Sequence, residues 1–83
     1  YLYGPEGMLV CLGAADGRER WRLDTRAKYR FQPNHFGVGS CPVVDGDLLL
    51  VAVGGSPPGG RVRDLRNAKP NGTAVVALDK RTG

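Results

Sequence analysis

The sequence predicts an all-β fold, and three observations support this prediction. Short apolar runs recur along the 83 residues, and each is followed by a turn rich in glycine or aspartate. No segment of ten or more residues shows the apolar period of an amphipathic helix. Glycine supplies 13 residues, well above the usual share of about 7%, which is typical of a chain with many turns. The length allows at most one small domain.

The first two strands are predicted as a hairpin at 7–13 and 18–24. The run GMLVCLG is apolar and bounded by glycines, as in a buried strand. An Asp-Gly pair supplies the turn, and RERWRLD then alternates, with three arginines on one face. We therefore expect Trp21 on the better-buried face of the second strand.

The remainder of the chain predicts further strands and one long loop. Aromatic and basic residues alternate over 28–31, which suggests one weak strand. The stretch 41–55 predicts a second hairpin around an Asp-Gly turn, and its apolar run 48–53 is typical of a strand covered on both faces. Three prolines and three glycines make 56–72 a surface loop, and 73–78 is the closing strand.

Two segments of the chain are copies of one pattern. MLVCLGAADG (8–17) aligns without a gap with AVVALDKRTG (74–83), so that Gly17 corresponds to Gly83. In the first repeat unit Trp21 follows Gly17 by four residues, and the same spacing after Gly83 would lie past the last residue. Since the chain also begins with a residue other than Met, we expect it to be part of a longer repeat protein, cut inside a repeat.

The spacing and the all-β character predict a partial β-propeller. Units that recur every 40 to 50 residues or so are typical of propeller blades, and each unit needs neighbours to bury its faces. The loop 54–72 accounts for the excess of about 20 residues over that blade length. We expect about one and a half blades of antiparallel strands, with the end of one blade at 1–24 and a truncated blade at 25–83 that carries the inserted loop.

The repeat resembles the PQQ-like (quinoprotein alcohol dehydrogenase-like) β-propeller repeat. The family pattern is a strand ending in a small residue, Leu and Asp, a turn closing in Thr-Gly, and then a Trp. The second unit matches it with Ala-Leu-Asp and Thr-Gly at 77–83, while the first has Cys11 in place of Ala and Gly13 in place of Asp. SCPVVDGDLLLVAVGG (40–55) resembles the second blade strand of the family.

The resemblance implies structural roles for particular residues. The family Trp packs across to a neighbouring blade, over the small residue and the glycine of another repeat. The residues that would dock blades in this way are Cys11, Gly17, Trp21, Ala77 and Gly83. The partners of the segment would be the neighbouring blades of the parent chain, and the blade that receives Trp21 is expected to lie outside this chain.

The resemblance further implies a non-catalytic scaffold in an extracytoplasmic or periplasmic bacterial protein, because these repeats resemble those of envelope assembly factors. The inserted loop is the candidate surface for other envelope proteins, through Arg61, Arg63, Arg66 and Lys69. The alternative is a parent quinoprotein dehydrogenase that oxidises alcohols or sugars with PQQ and calcium. No catalytic or metal-binding residue and no cofactor is predicted for the segment itself, and no quinone or calcium ligand can be carried over.

The charged and reactive residues favour structural roles. Three aspartates at strand ends are expected to cap their own turns, the single His35 has no partner in the sequence, and Cys11 and Cys41 match no metal spacing. A disulfide between them would require an oxidising compartment. The net charge of +4 permits contact with nucleic acid, but arginines on strand edges disfavour that interpretation, and no apolar run is long enough to span a membrane. The basic clusters are Arg18, Arg20, Arg22, Arg26, Lys28 and Arg30, together with the loop cations.

Overall fold

Two small antiparallel sheets of three strands each form the protein. The computed structural model describes residues 1–33, 37–58, 66 and 69–83. Sheet 1 has the order β1-β2-β3 and sheet 2 the order β4-β5-β6. The elements are β1 (Leu2–Tyr3), β2 (Met8–Leu12), β3 (Glu19–Asp24), α1 (Thr25–Tyr29), β4 (Val43–Asp45), β5 (Leu48–Ala52) and β6 (Val75–Asp79). The all-β class and both predicted hairpins are confirmed in this coarse form.

One short helix replaces the weak strand that the sequence predicts over 28–31. Asp24 caps α1, because its Oδ1 accepts a hydrogen bond from Ala27 N at 2.9 Å. The helix ends at Arg30, whose left-handed backbone (φ +53°) directs its N–H to the carbonyl of Arg26. The prediction of a strand is wrong here because a cap at each end stabilises a single turn that is too short to show a helical period.

The strand registers locate the insertion. Leu2 pairs with Val10 in sheet 1, and Val51 pairs with Val76 in sheet 2. Because Val10 is equivalent to Val76 in the repeat, Leu2 is equivalent to Val51, and the connection between the paired residues is much longer in the second unit. The added residues therefore lie between β5 and β6. Without them the repeat falls within the length of about 40 to 50 residues that is typical of propeller blades.

The two repeat units also form the same turn. Gly17 N donates to the carbonyl of Gly13 at 2.8 Å, and Gly83 N donates to the carbonyl of Asp79 at 2.8 Å. Both closing glycines have positive φ, +66° and +75°. The alignment of the two sequence segments is therefore also a structural equivalence.

Each sheet has a front face and a back face, which are defined by equivalent residues of the two repeat units. The front face carries Leu9 and Cys11 in sheet 1 and their equivalents Val75 and Ala77 in sheet 2. The back face is the opposite one, where Val10 and Val76 are equivalent. In the structure the front face of sheet 1 packs on the back face of sheet 2, so the sheets stack head to tail.

The core lies between the sheets and continues under the connections. Half-buried aromatic and aliphatic side chains from the front of sheet 1 surround it. Its buried hydrophobic members are Leu9, Phe31, Val38, Leu49, Val51, Val53 and Leu78. Only the back face of β5 is covered, since Leu49 and Val51 are buried while Leu48 is 45% exposed. The expectation that both faces of this strand are covered is thus wrong for the described residues.

A buried hydroxyl ties the start of α1 to sheet 1. Thr25 is completely buried, and its Oγ1 donates to the carbonyl of Gly7 at 2.7 Å. The same oxygen lies 2.8 Å from the hydroxyl of Tyr3. Burial raises the pKa of Tyr3 above its usual value, an effect that outweighs the opposing hydrogen bond to Thr25.

Candidate functional site

Trp21 of sheet 1 contacts the closing turn that follows sheet 2. A register shift between Cys11 and Leu12 leaves an extra residue in β3 just before Trp21, which stands opposite Cys11 on the front face. Trp21 Nε1 donates to the carbonyl oxygen of Lys80 at 3.2 Å. The indole ring lies against Gly83, since a Cβ atom at that residue would be only 2.9 Å from Trp21 Cε3. The tryptophan of the first repeat unit therefore rests on the closing glycine of the second, and the expectation that the blade receiving Trp21 lies outside this chain is wrong.

A second aromatic residue joins this contact. The Tyr1 hydroxyl donates to the same Lys80 carbonyl at 2.8 Å, so both lone pairs of that oxygen are used. The rings of Tyr1 and Trp21 have centroids 5.9 Å apart and are tilted by 44°. Sequence reasoning missed Tyr1, because nothing in its neighbours indicates a contact with the opposite end of the chain.

The turn that receives Trp21 is held by its own aspartate. Asp79 Oδ1 accepts hydrogen bonds from Arg81 N at 2.8 Å and Thr82 N at 3.2 Å. These backbone donors, Arg81 first, lower the pKa of the Asp79 carboxyl. Asp16 likewise accepts from Arg18 N at 3.0 Å in its own turn. The expectation of capping aspartates is confirmed for these two residues.

Among the described residues, no side chain lies against the equivalent turn of the first unit. A Cβ atom on Gly17 would meet no atom within 4 Å, although its backbone matches that of Gly83. Ala77, the equivalent of Cys11, is exposed on the front of sheet 2. The structure thus brings Cys11, Trp21 and Gly83 together and leaves Gly17 and Ala77 apart from them.

The inserted loop is anchored to the segment that follows α1. Buried Ser56 exchanges backbone hydrogen bonds with Gln32 at 2.7 and 3.0 Å, and its Oγ accepts from Lys69 N at 3.3 Å. Asn71 Nδ2 donates to the carbonyl of Tyr29 at 3.4 Å. Arg66 is exposed, as is Lys69. Two predicted contact residues, Arg61 and Arg63, and the single His35 lie outside the described residues.

The predicted basic surface is broken up by carboxylates. Three of its arginines each form an ion pair with an acidic side chain, and all of these pairs are solvent-exposed. Such pairs add little stability, but they neutralise the cations locally. The pairs are Arg20–Asp16, Arg22–Glu19 and Arg26–Glu6.

The reactive side chains do not converge among the described residues. No group of three His, Cys, Asp or Glu side chains there could hold a metal ion. Cys11 is half-buried and Cys41 exposed, and both are free thiols. An open cleft of about 500 Å³ beside α1 is lined by Arg26 and Arg30, while the carboxylate in its wall, Asp24, is engaged as the helix cap.

Comparisons of the chain with protein-family models, curated proteins and solved structures give no match. Within the described ranges, no helix is long and apolar enough to cross a membrane.

Proposed function

We propose that this chain is a β-propeller repeat segment of the PQQ-like type, which acts as a non-catalytic scaffold or protein-interaction surface in an extracytoplasmic protein. The observation that carries the proposal is the contact of Trp21 with Gly83 and with the carbonyl of Lys80. Here the tryptophan of one repeat unit binds the turn of the next unit. That contact joins successive sheets, which is the task of a scaffold built from repeats.

The head-to-tail stacking of the sheets supports the same proposal. Sheet 1 uses its front face and sheet 2 its back face for this contact, so the opposite face of each sheet is left for a further repeat. This arrangement propagates along a chain of repeats, whereas two sheets that packed through equivalent faces would close on themselves. The extracytoplasmic location and the envelope partners follow from the family resemblance of the repeat.

The inserted loop is the surface that we assign to partners. The loop connects β5 to β6 in the second unit, where the equivalent strands of the first unit, β1 and β2, are joined by a much shorter connection. Both of its ends are fixed to the 29–32 segment through Ser56 and Asn71. Long insertions on a rigid repeat scaffold are where binding residues concentrate. The exposed cations Arg66 and Lys69 suit a partner with an acidic surface.

Sequencing the coding DNA on both sides of this segment tests the propeller. We expect several further copies of the Leu-Asp…Thr-Gly…Trp pattern in the same reading frame. The absence of any further copy would contradict the proposal. An adjacent cysteine pair in the added sequence would instead favour the dehydrogenase.

Replacement of the loop tests the scaffold function. In the parent protein, residues 54–73 are exchanged for residues 5–7, which lie between Gly4 and β2 in the first unit, so that the core residue Val53 is kept. We expect loss of cross-linked envelope partners while the circular dichroism of the protein is unchanged. Retention of every partner would refute the assignment of the loop.

A cofactor titration tests the enzyme alternative. No residue of this chain is assigned to PQQ or calcium. The parent protein is titrated with PQQ and calcium and then assayed for dye-linked oxidation of alcohols and sugars. Bound-cofactor absorbance together with turnover would overturn the non-catalytic proposal.

A further inference from the structure

We propose that Asn71 is a site of spontaneous deamidation, and that this modification releases one end of the inserted loop. The reaction requires an asparagine whose side-chain amide can be reached by the backbone nitrogen of the next residue. Asn71 is followed by Gly72, which has no side chain to hinder that approach. The two other asparagines, Asn34 and Asn67, precede residues that carry one. The regulatory consequence rests on the proposed function of the loop, whereas the chemistry does not.

The reaction begins at the backbone nitrogen of Gly72. In its deprotonated form this nitrogen attacks Cγ of Asn71, and a bond forms between them while the bond from Cγ to Nδ2 breaks. Nδ2 takes up a proton from water and leaves as ammonia, so that a succinimide ring remains. Water then opens the ring at either of its carbonyl carbons and gives aspartate or isoaspartate. The net change consumes one water and releases one ammonia, and no oxidant or reductant takes part.

The attacking nitrogen of Gly72 is unobstructed in the structure. Gly72 is exposed, and a Cβ atom placed on it would meet no atom beyond its chain neighbours within 4 Å. Within the described ranges its N–H donates no hydrogen bond. Its φ of +85° lies in the left-handed region, so the turn itself favours glycine at this position. The fold therefore leaves both the nitrogen and the surrounding water free to react.

The amide of Asn71 is held next to this nitrogen by a backbone donor. Thr73 N donates to Asn71 Oδ1 at 3.1 Å. Since this bond spans Gly72, it keeps the amide beside the residue that attacks it. Negative charge develops on Oδ1 when the nitrogen adds to Cγ, and a donor that is already in place stabilises that charge, as backbone N–H groups do in an oxyanion hole.

The modification removes one contact of the loop and keeps another. In both products an oxygen takes the place of Nδ2, and a carboxylate only accepts hydrogen bonds. An aspartate at this position therefore keeps the bond from Thr73 N but cannot donate to the carbonyl of Tyr29. Two acceptors would then face each other where Asn71 Nδ2 and the Tyr29 oxygen now lie 3.4 Å apart. Because this contact fixes the loop to the 29–32 segment, its loss frees the end that leads into β6.

Deamidation also lowers the positive charge of the surface that we assign to partners. The new carboxylate lies two residues after Lys69, one of the exposed cations that suit an acidic partner. It reduces the net charge of the chain, which is +4 before the reaction, by one unit. We therefore expect the loop of an aged chain to be less firmly anchored and less attractive to such a partner.

Incubation of the folded 83-residue chain at mildly alkaline pH tests the site. Peptide mapping by tandem mass spectrometry follows each asparagine separately, because deamidation changes the mass of its peptide. We expect Asn71 to lose its amide while Asn34 and Asn67 keep theirs, with isoaspartate beside aspartate among the products. The reaction should slow at mildly acidic pH, where less of the backbone nitrogen is deprotonated. Gly72→Ala and Asn71→Gln should each keep the amide at residue 71.

Two results would overturn the site. The first is an Asn71 that keeps its amide in the folded chain, whether or not the reaction proceeds in urea. The second is conversion of Asn34 or Asn67 as fast as that of Asn71. Neither measurement involves a partner, so either result would leave the proposed scaffold function standing.

Trypsin tests the release of the loop. The exposed Arg66 lies in the loop and is not followed by proline, so trypsin can cleave after it. We expect faster cleavage there in Asn71→Asp and in the aged chain than in the fresh chain, because proteolysis follows local opening. Ala74→Asp, at an exposed residue close by, adds the same charge without removing the donor to Tyr29 and should be cleaved as slowly as the fresh chain. Equal cleavage of the two aspartate variants would refute the release of the loop.

Discussion

Replacing Trp21 with alanine should weaken the packing between the two sheets. The indole is the side chain of β3 that reaches the turn of the second repeat unit. Its loss removes the hydrogen bond to the Lys80 carbonyl, the contact with Gly83 and the ring contact with Tyr1. The rest of each sheet keeps its own strand pairing, so the effect falls on the packing between the sheets.

The structure sets the size of this effect. Removal of a fully buried aromatic side chain costs about 3 to 5 kcal/mol. Trp21 is half-buried, so we expect a loss of about 2 to 3 kcal/mol, of which the hydrogen bond contributes about 1 kcal/mol. A chain of this length has a free energy of unfolding of roughly 4 to 12 kcal/mol, and the melting temperature should fall by about 10 to 20 °C.

The assay must not depend on the residue that is changed. Trp21 is the only tryptophan, so urea and thermal unfolding are followed by far-ultraviolet circular dichroism. Trp21→Phe keeps a ring over Gly83 and loses the donor, and it should cost about half as much as alanine. Exposed Arg18→Ala, in the turn that precedes β3, is the control. If Trp21→Ala unfolds within about 0.5 kcal/mol of the wild-type chain, then Trp21 does not hold the sheets together.

Three further predictions follow from the turns and the core. Gly83→Ala should lower the free energy of unfolding in urea more than Gly17→Ala does. Both substitutions add strain at positive φ, but only the first places a methyl group against Trp21. Equal losses of stability would contradict the contact between Trp21 and Gly83. Thr25→Val should cost about 1 to 3 kcal/mol, because the buried Gly7 carbonyl and the half-buried Tyr3 hydroxyl lose their hydrogen bonds, and a loss below about 0.5 kcal/mol would refute this. The pKa of Asp79 is lower in the folded chain than the ordinary value of about 4 for an aspartate. The charged carboxyl therefore stabilises the turn fully above about pH 4, and this stability is lost as the pH falls through the pKa of the folded chain. The unfolding difference between the wild-type chain and Asp79→Asn should therefore shrink on acidification, and a pH-independent difference would rule this out.

The parts of the fold that the sequence predicted are those specified by local patterns. Alternation along 18–24 placed Trp21 on the buried face, and Asp-Gly pairs marked the turns. The features that it missed depend on very short or distant elements. The two-residue strand β1 and the five-residue helix α1 are too short to show a period, and the bond from Tyr1 to Lys80 joins opposite ends of the chain.

The two glycine turns separate what the repeat sequence determines from what packing determines. Gly17 and Gly83 adopt the same backbone and close the same hydrogen bond, because the four residues before each of them form that turn locally. Among the described residues Gly83 alone lies under an indole, because sheet 1 precedes sheet 2 in the stack and supplies Trp21. The repeat therefore specifies the shape of the site, and the tryptophan of the preceding sheet determines whether it is occupied.

Strand β5 carries more apolar surface than one molecule covers. Its sequence is apolar at every position, which is typical of strands covered on both faces, yet only alternate residues such as Leu49 and Val51 are buried. The side chains between them, Leu48 among them, face away from the core. A strand that had only one neighbouring layer would alternate with polar residues, as β3 does on its charged side. The composition of β5 is therefore typical of a strand between two layers, and we propose that a neighbouring repeat of the parent protein supplies the second layer.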